Sequence, residues 1–302
     1  MTVPHPPQTQ PDWSDWSAVP LLTPFSATSL HETLCGGQAF RWNLIGSPEL
    51  PRWEGVWSRW VAQLQLEEGQ LRARYLNPQL PQAREALEEY LRATTDFNDL
   101  IDPLPWRSDP HLRAAIQAFP GLRLLQQPLE ETLLAFLLSS TKAIPQISQL
   151  CQSLARDFGQ PLPSGFYALP TWQQLAEVPE SALRTIGCGF RARYLAGTAR
   201  FLSSNPGYLA QLSGLPTNQA RTALMVLPGV GEKIADCVLL FGLGRYEAFP
   251  VDTWVLRILR QTYGLADWTP LQLQTFARLH FGPTAGLAQQ FLFSHIRHSA
   301  RL

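Results

Sequence analysis

Residues 227–233 read Leu227-Pro228-Gly229-Val230-Gly231-Glu232-Lys233, between two stretches of helical apolar spacing, QARTALMV and EKIADCVLLFGL. Two helices joined by so short a Gly-rich turn must reverse sharply, and glycine supplies the backbone angles. Small residues there also let a phosphate approach the N–H groups that open the second helix, where the helix dipole favours an anion. Gly229, Val230 and Gly231 are therefore candidate phosphate contacts, a grip that holds a nucleic acid without reading its sequence. An ordinary αα-hairpin fits the same glycines, and two further residues separate the readings.

The first is Lys233, in the opening turn of the second helix. The positive end of the dipole disfavours an ammonium there, and it is the neutral amine that attacks carbon. The chain has only two lysines among its 24 basic residues, Lys142 and Lys233. An amine kept in a chain that otherwise uses arginine points to chemistry a guanidinium cannot perform. The second is Asp252 of Pro250-Val251-Asp252, just ahead of the helical pattern TWVLRILRQTY. It fits an N-cap, and the same carboxylate is suited to take the amine's proton or to stabilise a cationic sugar.

Together these residues resemble the helix-hairpin-helix-Gly/Pro-Asp superfamily of DNA glycosylases, whose motif is L-P-G-V-G-x-K followed by P-V-D. The resemblance implies that Lys233 and Asp252 are catalytic and that the enzyme both removes a base and cleaves the strand. In that chemistry the amine displaces the base, forms a Schiff base with C1′ of the sugar, and β-elimination follows. The iron–sulfur branches carry four cysteines after the hairpin, whereas this chain has none after Cys237. No cofactor and no protein-bound metal are expected, the hairpin admitting at most a monovalent cation.

Four stretches narrow the resemblance to the 8-oxoguanine DNA glycosylase family, from about Leu30 to Phe293. They are GGQAFRW at 36–42, the linker from Tyr90 to Leu100 continued by GLRLLQQPLEETLLAFLLSS, GFRARY at 189–194, and GPTAGLAQ at 282–289 leading to Phe293. The resemblance implies a base pocket made by Gly37, Cys237, Gln289 and Phe293. A backbone carbonyl at Gly37 would accept from the N7–H that 8-oxoguanine has and guanine lacks. Cys237, one turn after Lys233, and Phe293 would cover the two faces of the flipped base, and the Gln289 amide would pair with its edge. Phe190 would fill the vacated stack and Arg191 would contact the base left opposite. Three positions depart from the family pattern: Thr141 replaces an intercalating Asn, Gln146 an Arg on the opposite cytosine, and Trp254 a His near a phosphate of the flipped nucleotide. Thr141 and Trp254 are still expected on the DNA.

The rest of the chain fits this frame. Its 45% apolar and 16% charged residues describe a globular protein, and its net charge of zero confines any DNA footprint to a local surface. From Ser181 to Arg260 nine basic residues face four acidic ones. The four cysteines form no C-x-x-C pair, which argues against zinc and disulfides. No targeting segment and no membrane-length apolar run is seen, so a cytoplasmic or nucleoid protein, acting as a monomer on duplex DNA that contains an oxidised purine, is expected.

The predicted fold class is α+β. Residues 1–24 read as a disordered Pro-rich tail. Residues 25–128 read as a small antiparallel sheet domain, TATA-binding-protein-like, with linker helices. Residues 129–302 read as an all-α helix-hairpin-helix glycosylase domain. Two alternatives stay open: an alkylpurine (3-methyladenine-type) glycosylase of the same fold, which Lys233 and Gly37 argue against, and a non-catalytic helix-hairpin-helix DNA-binding module.

Overall fold

The alternating, Trp-rich run after Arg41 folds as a meander. In the computed structural model, which describes residues 11–76 and 81–299, the strands are β1 (Ser17–Ala18), β2 (Trp42–Ser47), β3 (Leu50–Trp57), β4 (Trp60–Glu67) and β5 (Gln70–Tyr75). They form one antiparallel sheet in the order β1-β5-β4-β3-β2. Trp42 is in register with Gly55. A Cβ at Gly55 would lie 2.2 Å from the Trp42 ring, so the missing side chain is what seats the indole. Trp42 stacks on Trp57 at 5.8 Å and donates from Nε1 to the Tyr90 hydroxyl at 3.1 Å. The indole thereby buries its ring and still satisfies its polar edge.

The N-terminal tail expectation needs correction. Residues 1–10 lie outside the described residues, but Trp13 bridges Leu76, and Ser17–Ala18 pairs with Ala73 and Arg72. The Arg74 guanidinium lies 5.2 Å from the Trp13 ring and 4.9 Å from that of Trp16. The Pro-rich composition concealed two indoles able to stack on a cation and cover the edge of β5.

Helices α1 (Ala27–Cys35) and α2 (Gln82–Tyr90) pack on the sheet, with Leu30, Leu34 and Leu87 in its core. The helical array comprises α3 (Phe97–Ile101), α4 (Pro110–Ala118), α5 (Leu129–Leu138), α6 (Ile144–Phe158), α7 (Trp172–Ala176) and α8 (Glu180–Leu183). It continues with α9 (Ala192–Ser204), α10 (Tyr208–Gln211), α11 (Thr217–Leu224), α12 (Glu232–Phe241), α13 (Thr253–Arg257), α14 (Pro270–Phe281) and α15 (Ala285–Ser299).

Here the expected division at 128 is also modified. Phe97, Leu112 and Phe119 belong to the helical core rather than the sheet core, and α4 lies against α15. Apolar spacing identifies the buried face of a helix but not which core that face meets. The two units are tied by polar contacts as well. Arg41 donates to the carbonyls of Cys151 (3.2 Å) and Tyr167, and Ser58 N–H donates to the half-buried Glu131 carboxylate at 2.9 Å. Among the described residues no helix is long and apolar enough to cross a membrane.

Candidate active site

The hairpin joins α11 to α12 as the sequence implies. Gly229 adopts φ +81°, and a Cβ there would lie 2.4 Å from Tyr194 Cγ, so the turn presses directly onto α9. Thr198 Oγ1 donates to the Pro228 carbonyl at 3.1 Å, and the partly buried Arg221–Asp236 ion pair, at 2.6 Å, braces α11 against α12. One expected contact changes role. Val230 is buried, and its N–H is spent on the Leu227 carbonyl at 3.1 Å, so it anchors the turn from within. Gly231, the N-cap of α12, faces open space and leaves the helix start accessible.

Lys233 sits one residue inside α12 and is half-buried. Its Nζ donates to Ser139 Oγ at 3.3 Å and lies 5.1 Å from the centroid of the Phe136 ring. Ser139 spends its own proton on the Phe136 carbonyl at 2.7 Å, which turns a lone pair to the lysine. Asp252 is the N-cap of α13, accepting from Val255 N–H at 2.8 Å, and lines the same cleft as Lys233. Burial pushes its carboxyl above the usual carboxylate range, against the Val255 bond and the charge of Lys233. The capping and catalytic readings of Asp252 are therefore compatible.

The cleft, about 650 Å³, is lined by Gly37, Thr141, Lys142, Lys233, Asp252, Trp254 and Phe293 among others. Behind it is a smaller space of about 40 Å³ between Gly37, Cys237, Gln289, Gln290 and Phe293, with Lys233 and Asp252 on both walls. All four residues expected to hold a base thus converge. A cavity of about 150 Å³ holds benzene, so this space is too small for a purine as it stands. The Gln289 Oε1 is buried with no hydrogen-bond partner among the described residues, and so is Gln290 Nε2. Buried polar atoms without partners are costly unless a ligand completes them. Burial raises the Cys237 thiol to about 12, so it is a neutral surface to pack against and not itself a nucleophile at neutral pH.

Phe190 is 41% exposed and directly follows a short turn that contains Gly187 (φ +95°) and Gly189 (φ +57°). A large apolar side chain held out in this way suits a wedge. Arg191, expected beside the base left opposite, is instead turned inward and 3% exposed. Its Nη2 donates to the Ser140 carbonyl and, at 2.8 Å, to Thr141 Oγ1, while its guanidinium lies 4.4 Å from the Phe190 ring centroid. A buried guanidinium needs such acceptors, and the 139–141 loop supplies them. Arg191 thus holds the loop in which Thr141 takes the left-handed φ of +56°.

Two family models match in tandem: the 8-oxoguanine DNA glycosylase N-terminal domain over residues 21–133, and the HhH-GPD superfamily of base excision DNA repair proteins over 134–280. The N-glycosylase/DNA lyase OGG1 of Arabidopsis thaliana is 30% identical over 91% of this chain and 79% of its own length. This chain belongs to the 8-oxoguanine DNA glycosylase family.

Two solved structures from the 8-oxoguanine DNA glycosylase family extend the match to three dimensions. MBOgg1, in complex with a low-affinity DNA ligand, superposes with a TM-score of 0.85 at 31% identity over 97% of this chain and all of its own. The 8-oxoguanine glycosylase/lyase of Clostridium acetobutylicum, bound to duplex DNA with cytosine opposite 8-oxoguanine, gives 0.82 at 28% identity over 90% of this chain and 92% of its own. The α+β architecture follows that of the family, and DNA is the partner of both relatives.

Within this family frame the structure adds residues that the sequence reading missed. Ser139 and Phe136 touch the Lys233 amine from α5 and its end, far away in sequence, where no local spacing links them. Gln290 faces the pocket beside Gln289. Arg297 lies one turn beyond Phe293, a helical interval that pointed to the site, but a charged residue near a helix end reads as solvent-facing.

Proposed function

We propose that this chain excises 8-oxoguanine from duplex DNA and cleaves the strand at the resulting site, with Lys233 as nucleophile. The observation that carries the proposal is the position of the Lys233 amine on the wall shared by the open cleft and the Gly37–Gln289 pocket. A sugar held in the cleft presents C1′ to the amine while its base occupies the pocket. The N–C1′ bond forms as the glycosidic bond breaks, and the base leaves with a proton. Ring opening gives the imine; loss of a C2′ proton then expels the 3′ phosphate. Asp252 faces the cationic sugar and accepts the amine's proton. The N7–H of the lesion meets the backbone at Gly37, and the unpaired Gln289 oxygen accepts from its edge.

Duplexes carrying 8-oxoguanine opposite each of the four bases, alongside a 3-methyladenine duplex, test the substrate assignment. Release and nicking at 8-oxoguanine are expected. Release of 3-methyladenine with 8-oxoguanine untouched would replace the assignment by the alkylpurine alternative. The same panel reads the opposite-base rule, for which Thr141 and Gln146 stand in place of the family's Asn and Arg.

A further inference from the structure

Arg297 is 6% exposed and Glu32 1% exposed, an ion pair set deep between α15 and α1. Burying two charges costs more desolvation than their attraction alone returns, so stability is a poor reason for the pair. Its contacts suggest another. Arg297 Nη1 donates to Glu32 Oε2 at 3.3 Å and to the Gly36 carbonyl at 2.5 Å, and its guanidinium carbon lies 5.1 Å from the Phe293 ring centroid. One charge therefore touches the turn before Gly37 and the aromatic wall opposite.

The turn is held closely. Gly36 caps α1 with its N–H on the Glu32 carbonyl at 2.9 Å, and a Cβ at 36 would come within 2.5 Å of Glu32 Oε2. The Gly36 carbonyl and the Gly37 N–H belong to one peptide plane, so a donor fixed on that carbonyl restrains the φ of Gly37, which is +111°. On the other side, the Gln38 carbonyl accepts from Gln127 Nε2 at 2.7 Å, and the Gln38 amide bonds Arg123 O and Leu125 N, each at 2.9 Å. Gly37 thus lies between two anchored residues, Gly36 and Gln38. A Cβ on Gly37 would be 3.6 Å from Phe293 Cε1, so the two walls already face each other closely.

We infer that the Glu32–Arg297 pair is a positioning element for lesion recognition, setting the Gly37 turn and the Phe293 ring at the spacing that accepts an oxidised purine. This rests on the pocket assignment above. The test compares single-turnover release of 8-oxoguanine with β-elimination at a preformed abasic site, which has no base for the pocket to read. Arg297→Met keeps the stem and removes the fork. It is expected to slow base release about 30-fold, as small misplacements in a reactive geometry do, while abasic-site cleavage stays within about threefold. Glu32→Gln, a milder change that keeps a hydrogen-bonding group, is expected to shift the same ratio less far. An equal loss of both activities in the two folded variants, or no loss in either, would overturn the inference. A wild-type protein that cleaves abasic sites but leaves 8-oxoguanine intact would instead refute the substrate assignment on which it rests.

Discussion

Lys233→Gln is expected to abolish the borohydride-trapped protein–DNA adduct and to slow base release by roughly a thousandfold, about 4 kcal/mol of barrier. Borohydride reduces an imine to a stable amine, so trapping reports the Schiff base itself. Glutamine keeps an uncharged polar head on a side chain one atom shorter, and sits as readily in a helix. The variant therefore folds, and its loss is chemical. Cys237 does not take over, because burial holds its thiol up to about 12 and so protonated at neutral pH. Lys142 shares the cleft, but it lies on the loop after α5, away from the inner pocket that Lys233 borders. Full trapping by Lys233→Gln would remove the lysine from its role.

Asp252→Asn separates capping from chemistry. Asparagine caps helices as well as aspartate, so the bond to Val255 N–H, 2.8 Å in the native chain, survives. The charge does not, and base release is expected to fall by about a hundredfold. The pH dependence follows from the direction of the shift. Burial raises the Asp252 carboxyl above its unfolded value, so activity that needs the carboxylate is lost as pH falls through that raised value. The acid limb of the wild-type rate profile therefore lies above the ordinary carboxylate range, and Asp252→Asn removes it. Stability moves the other way. A carboxyl raised by burial costs folding free energy as pH rises through the same window, so the Asn variant melts no lower than wild type at neutral pH. A variant that is both fully active and unchanged in its acid limb would assign Asp252 to capping alone.

The legible parts of this molecule were the local ones. A Gly-rich turn between helices, a lysine in the next turn and an N-cap aspartate are each written in a few adjacent residues. The period-two alternation of β2–β5 and the helical spacing beyond Pro81 likewise depend on near neighbours. Core membership was not legible, because Phe97 and Leu112 look the same whether they meet the sheet or α15. The edge strand at Ser17 was hidden by prolines around Trp13 and Trp16. Arg191 was assigned to the DNA by resemblance, yet Ser140 and Thr141 draw it inward. Ser139 reaches Lys233 only because α5 packs on α12, a relation that exists in space alone.

The chain's near-exclusive use of arginine gives the chemist a clean probe. Its two lysines, Lys142 and Lys233, both line the same cleft. Reductive methylation with isotope-labelled formaldehyde marks amines and leaves guanidinium groups alone. The side-chain signals of such a labelled protein therefore number two, and both report from the place where DNA would lie. Replacing Lys142 by arginine leaves a single side-chain resonance beside that of the terminal amine. A dimethylated Lys233 forms no imine, so its signal follows DNA binding at that position with the Schiff-base chemistry switched off.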